Sequence, residues 1–255
     1  VTDLRPLKNI VRHEEIHYHG ADLGKVANGP ALREEADYHI LLFITTSKPR
    51  PSDILPVVSA IMHKPLQEFQ DELNQLFAKA CQDQQNGRLD EAGRSYLKLL
   101  DYFAEVPILH YNLGLVYYGQ GHYAQARDAF ARAAELQPGD ADILFNLALS
   151  KKRAGDPEGA IDTYKEVLAE HPADVDALYN LAGCYKDSSQ YALAMATYRE
   201  VLALAPQHQS ANSNLAFLYH LEGDIDRAAW YYRMVLRHNP DHQAAKHMVA
   251  ALTGE

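Results

Sequence analysis

The sequence predicts an all-α fold made of stacked helical hairpins. Three observations predict it. A pattern recurs every 34 residues. Glycines and prolines stand where helices must end. Small residues stand where two helices must touch. The segments YNLGLVYYGQGHYAQARDAF, FNLALSKKRAGDPEGAIDTY, YNLAGCYKDSSQYALAMATY and SNLAFLYHLEGDIDRAAWYY align at that spacing, and FAKACQDQQNGRLDEAGRSY precedes them in the same register. A fixed period of this length marks a repeat architecture.

The repeats begin at Leu73, Pro107, Ala141, Val175 and Gln209, giving units 73–106, 107–140, 141–174, 175–208 and 209–242 within a repeat region 71–242. Each unit reads as two helices and a tight turn. The turn carries Gly87, Gly121, Gly155 and Gly223, which tolerate the positive φ of a helix end, while the fourth unit has Ser189 there. Ala80 with Ala92, Gly114 with Ala126, Ala148 with Ala160, Ala182 with Ala194 and Ala216 with Ala228 keep the paired helices close. Tyr96, Phe130, Tyr164, Tyr198 and Tyr232 are expected to fill the core. Pro138, Pro172, Pro206 and Pro240 stop the second helix, with Ala104 at that place in the first unit. QAAKHMVAALTG begins a capping helix over 243–255, needed to keep the apolar end of an open stack from water.

Residues 1–70 form a non-repeat module, mixed or helical. NIVRHEEIHYH reads as a short helix, EEADYHILLFITT as a helix or an apolar strand, and TTSKPRPS as a turn or linker. DILPVVSAIM and LQEFQDELNQLF read as helices, the second running into the first repeat.

The small, aromatic and proline positions of the five units resemble the tetratricopeptide repeat family over about residues 73–242. The resemblance implies a right-handed superhelical solenoid of helix pairs. Its concave groove is lined by the second, fifth, sixth, ninth, twelfth and thirteenth positions of each repeat, and binds proteins or peptides. The sixth position gives Asn112, Asn146, Asn180 and Asn214, with Ala78 breaking the series in the first unit. The fifth gives Phe77, Tyr111, Phe145 and Tyr179, then Ser213. This resembles the asparagine ladder of superhelical members, in which a carboxamide both donates to and accepts from the main chain of an extended ligand. Aromatic faces beside it supply apolar contact. Tyr118, Lys152, Arg153 and Lys186 are also inward by this register, with Asp142, Asp176 and Asp187 among them. The family's clamp for chaperone C-termini requires basic residues where this chain has Phe77, Asp142 and Asn146, so a chaperone tail is not the expected ligand.

A second reading starts from RHEEIHYHG. His13 and His17 lie one helical turn apart, and Glu14 between them suits activation of a metal-bound water. ALREEAD offers Glu34 and Glu35 as a further ligand, in a neighbourhood that resembles some zinc-dependent peptidases. Those peptidases usually place a strand, against which substrate aligns, before the motif, and only twelve residues precede His13 here. The glutamate expected four before Asp37 is Arg33. A five-residue pattern in a histidine-rich segment also arises by chance. The expectation is therefore a non-catalytic chain without a cofactor. AAKHMVAALTGE resembles the junction at which such repeats lead into an S-adenosylmethionine-dependent methyltransferase in some bacterial proteins. That would make this chain a recruiting part of a longer enzyme.

Charge narrows the partners. Residues 1–70 hold 8 Lys+Arg against 9 Asp+Glu, and the remainder holds 16 against 25, so the net −10 is concentrated in the repeats. No basic stripe suited to a nucleic acid is present. No apolar run approaches the roughly 18 residues a bilayer span needs, and no secretory start is seen. Cys81 and Cys184 form no disulfide framework, which suits a cytoplasmic chain. A protein or peptide ligand, and self-association, are the expected interactions.

Overall fold

The computed structural model describes residues 66–254, and side-chain surroundings from Asp71 onward. The described residues form eleven helices and no strand: α1 Leu66–Gln85, α2 Leu89–Leu100, α3 Pro107–Gly119, α4 Tyr123–Leu136, α5 Ala141–Arg153, α6 Pro157–Glu170, α7 Val175–Asp187, α8 Tyr191–Leu204, α9 Gln209–Leu221, α10 Ile225–His238 and α11 Gln243–Thr253. They divide into two compact units between Leu136 and Gln137. The boundary expected between residues 70 and 71 falls inside α1, which runs through it without a break.

Helix starts follow from side chains that satisfy the first free amides. Four residues 34 apart act alike. Asp140, Asp174, His208 and His242 accept from the amides of Ile143, Ala177, Ala211 and Ala245 at the starts of α5, α7, α9 and α11. Asp156 and Asp224 do the same for α6 and α10. Helix α3 has no side-chain cap and begins instead with Pro107, whose missing N–H would be an orphan there.

The hairpin turns are left-handed at one residue each. Gly87, Gly121, Gly155 and Gly223 have φ of 74°, 79°, 89° and 78°, and Ser189 takes the same conformation at 59° despite its side chain. Helices α4, α6, α8 and α10 each stop two residues before their proline, where the residue preceding proline is pushed out of the helical region.

In the first unit α1 packs on α2, α2 on α3, and α3 on α4. Leu73, Ala80, Ala92, Tyr96, Leu99, Leu109, Leu113 and Val116 form its core. In the second unit α5 packs on α6, α6 on α7, and so on in chain order to α11. Ala148, Ala160, Tyr164, Ala182, Ala194, Tyr198, Leu215 and Ala228 share one core there. Ala216, Tyr232, Val235, Ala245 and Val249 bring in α11. Every alanine of the five small-residue pairs is fully buried, so a larger side chain at any of them would separate its helices.

Candidate groove-face residues

The fifth-position rings pack against core aromatics. Each meets the core aromatic of its own repeat, mostly edge to face. Phe77 lies 6.2 Å from Tyr96, Tyr111 lies 5.6 Å from Phe130, Phe145 lies 5.6 Å from Tyr164, and Tyr179 lies 5.8 Å from Tyr198. Such pairs hold a ring in place by its quadrupole as well as by apolar contact. Phe77, Phe145 and Tyr179 remain half-buried. Tyr111 and Tyr118 are only 6% and 8% exposed, Tyr118 being packed on Tyr123 at 5.2 Å. These two are core residues with little face left for a ligand. The sequence register gave them the same standing as the others because it does not report how closely neighbours cover a position.

The four asparagines, equivalent in sequence, differ in the structure. In the first unit the half-buried carboxamide of Asn112 makes no hydrogen bond among the described residues. In the second unit Asn146 is 3% exposed and donates to the Asp142 carbonyl at 2.8 Å, which ties it to its own helix. Asn180 donates to the Asp176 carbonyl at 2.9 Å but is half-buried, and its Oδ1 accepts no hydrogen bond among the described residues. Asn214 is held at both ends: Lys186 Nζ donates to its Oδ1 at 2.9 Å, and its Nδ2 donates to the Tyr179 hydroxyl at 3.3 Å.

The basic positions separate in the same way. Lys152 reaches from α5 to α7, where its ammonium lies 3.4 Å from the Asp187 carboxylate. It occupies the space above Gly183: a Cβ on that glycine would come within 2.5 Å of Lys152 Nζ. Lys186, one repeat later, reaches from α7 to α9, where its one polar partner among the described residues is the neutral Asn214. Arg153 at the end of α5 is exposed.

His208 was not singled out from the sequence, although its spacing from Asp174 marks it as a cap. Its ring lies 4.8 Å from that of Tyr179, and its Nδ1 accepts from Ala211 N at 3.1 Å. Burial lowers its pKa, opposed by its own backbone hydrogen bond and by the nearby Asp176 carboxylate. The neutral ring is the form that can cap α9.

The metal reading is not addressed by this geometry. His13, Glu14, His17, Glu34 and Glu35 lie outside the described residues, as do the other readings of residues 1–65. Among the described residues no three His, Cys, Asp or Glu side chains gather as metal ligands, and no helix is long and apolar enough to cross a membrane.

Sequence comparison decides the family. Tetratricopeptide repeat patterns match residues 107–140, 145–208 and 186–252. The chain is a tetratricopeptide repeat protein. No curated protein matches it in sequence. Solved structures similar to this tetratricopeptide repeat chain include MamA from Desulfovibrio magneticus RS-1, at 19% identity and TM-score 0.65, with 68% of this chain and 97% of that one covered. YrrB, described as a TPR protein with an unusual peptide-binding site, aligns at 20% identity and TM-score 0.63 over 74% and 95%. PilW, described as a widely conserved type IV pilus biogenesis factor, aligns at 21% and 0.61 over 71% and 86%. At these identities the likeness establishes the shared fold.

Proposed function

We propose that this chain is a non-catalytic interaction scaffold that binds an extended polypeptide segment. In the second unit the segment lies along the inward residues of α5, α7 and α9. One observation carries this reading: Asn180 presents a carboxamide fixed by its Nδ2 bond to Asp176, with Oδ1 left to accept a main-chain N–H. A pre-oriented acceptor binds without the entropic cost of being ordered first. Phe145 and Tyr179 stand at the neighbouring fifth positions and are braced by core rings, so they offer rigid apolar contact. In the first unit, Asn112 and Phe77 are the corresponding candidates. The peptide-binding site named for YrrB supports the same kind of role here. The repeats' excess of Asp and Glu disfavours a nucleic-acid ligand.

Selection of random twelve-residue peptides on the immobilised full chain tests the proposal. Enriched peptides should bind the wild-type chain, and Asn180→Ala should weaken them about fivefold, the worth of one ordinary hydrogen bond, with an unchanged melting temperature. Failure to enrich any peptide, or full affinity in the Asn180 variant, would count decisively against it.

A further inference from the structure

Resting on that reading, we infer that the second unit selects a carboxylate in its peptide ligand. The anchor is Lys186 and Tyr179, which flank the Asn214 carboxamide, and the exposed apolar residues Phe217 and Leu221 lie beside it.

Sequence alone gives Lys152 and Lys186 the same place in consecutive repeats. The structure gives them different electrostatics. Lys152 is answered by Asp187 at 3.4 Å. Lys186 has no carboxylate within ion-pair distance among the described residues, and its ammonium spends one N–H on the carbonyl end of Asn214. A half-buried ammonium that has lost part of its water and gained only a neutral partner is electrostatically unfinished.

The second donor lies at the other end of the same carboxamide. The Tyr179 hydroxyl accepts from Asn214 Nδ2, so that oxygen's own proton is turned elsewhere, and it meets no acceptor among the described residues. The ring is braced by its packing on Tyr198 and His208, at centroid distances of 5.8 and 4.8 Å. Asn214 thus acts as a spacer that orients a cationic N–H donor and a phenolic O–H donor. Two such donors match the two oxygens of a carboxylate, and charge-assisted bonds of this kind are about twice as strong as neutral ones.

Helix α9 supplies the apolar element. Asn214, Phe217 and Leu221 are spaced i, i+3, i+7 and share one face. Phe217 and Leu221 are among the exposed large hydrophobic side chains. The matching ligand carries an acidic group next to a bulky apolar side chain. The basic residues used differ from those of the clamp whose positions are held here by Phe77, Asp142 and Asn146.

The test uses the full chain and two random dodecapeptide pools, one with free and one with amidated C-termini. The wild type should enrich Asp or Glu at a fixed distance from Phe, Leu or Ile in the amidated pool. Enrichment confined to the free pool would assign the carboxylate to the peptide terminus, and so would also support the anchor. Lys186→Gln should lower affinity for the selected acidic peptides about tenfold and erase the acidic preference while still binding neutral peptides. Lys186→Arg and Lys152→Gln should retain it. Matched circular dichroism spectra would show that the variants are folded. Peptides enriched without acidic preference, or a preference that survives in Lys186→Gln, would overturn the anchor while leaving the scaffold reading intact. No enrichment on the wild type would remove both.

Discussion

His208 lies over Tyr179 with ring centroids 4.8 Å apart, and the same imidazole caps α9 through Nδ1. Acid should therefore weaken the fold here. Burial lowers the native pKa below the ordinary 6.5, so as pH falls below about 6.5 the unfolded chain takes up a proton that the native chain resists. The stability that His208 provides is fully present above pH 6.5 and declines as pH falls toward the native value. His208→Asn keeps a capping acceptor but removes the titration. Urea midpoints at pH 7.5 and 5.5 should fall less in the variant than in the wild type. Equal losses would show that another group carries the acid sensitivity.

Ser189 should be improvable. It adopts φ of 59° where the other four hairpin turns place glycine. Left-handed backbone costs an L-residue about 1–2 kcal/mol, partly offset in any glycine variant by the freer unfolded chain. Ser189→Gly is expected to stabilise by about 0.5–1 kcal/mol, and Gly155→Ala to destabilise by about 1 kcal/mol. Thermal melts of the two variants check both signs.

The two thiols should separate in a labelling experiment. Cys184 is fully buried, and burial pushes its thiol up to about 11; Lys152 opposes the shift, while Asp187 and Glu158 add to it. Cys81 is half-buried and accepts from the Tyr96 hydroxyl at 3.4 Å. At pH 8 a disulfide reagent should titrate one thiol per native chain and two after denaturation, because the thiolate is the reactive form. Two fast thiols in the native chain would contradict the burial of Cys184.

Asp174 holds two amides at once, those of Asp176 and Ala177, each at 3.0 Å. Asp174→Ala should cost about 1 kcal/mol, and Asp174→Asn much less, since the amide side chain caps nearly as well. Chemical denaturation of the pair gives the comparison.

The hairpins were legible in the sequence because repetition isolates positions with one physical task. A residue that must be small recurs as Ala80, Ala148, Ala182 and Ala216, and all four are fully buried. The turn glycines and helix-ending prolines were legible for the same reason. The differences among Asn112, Asn146, Asn180 and Asn214 were not, since each depends on which side chain the next repeat sends toward it. Asp187 finds Lys152 across 35 residues of chain, and Asn214 finds Lys186 across 28. Periodicity says that these places face one another; it does not say which pairs close. Tyr111 and Tyr118 show the same limit, for a ring can occupy an inward register and still be covered.

The vacancy that Gly183 leaves for the Lys152 ammonium has a consequence for engineering. Protein designers often replace irregular repeats with a single averaged module. Here the averaging would restore a side chain at Gly183 and evict Lys152 from its seat, dissolving the contrast between a satisfied and an unsatisfied lysine. Such a chain would keep its architecture and lose the ion pair that Lys152 makes with Asp187. In this molecule, information resides in the departures from regularity.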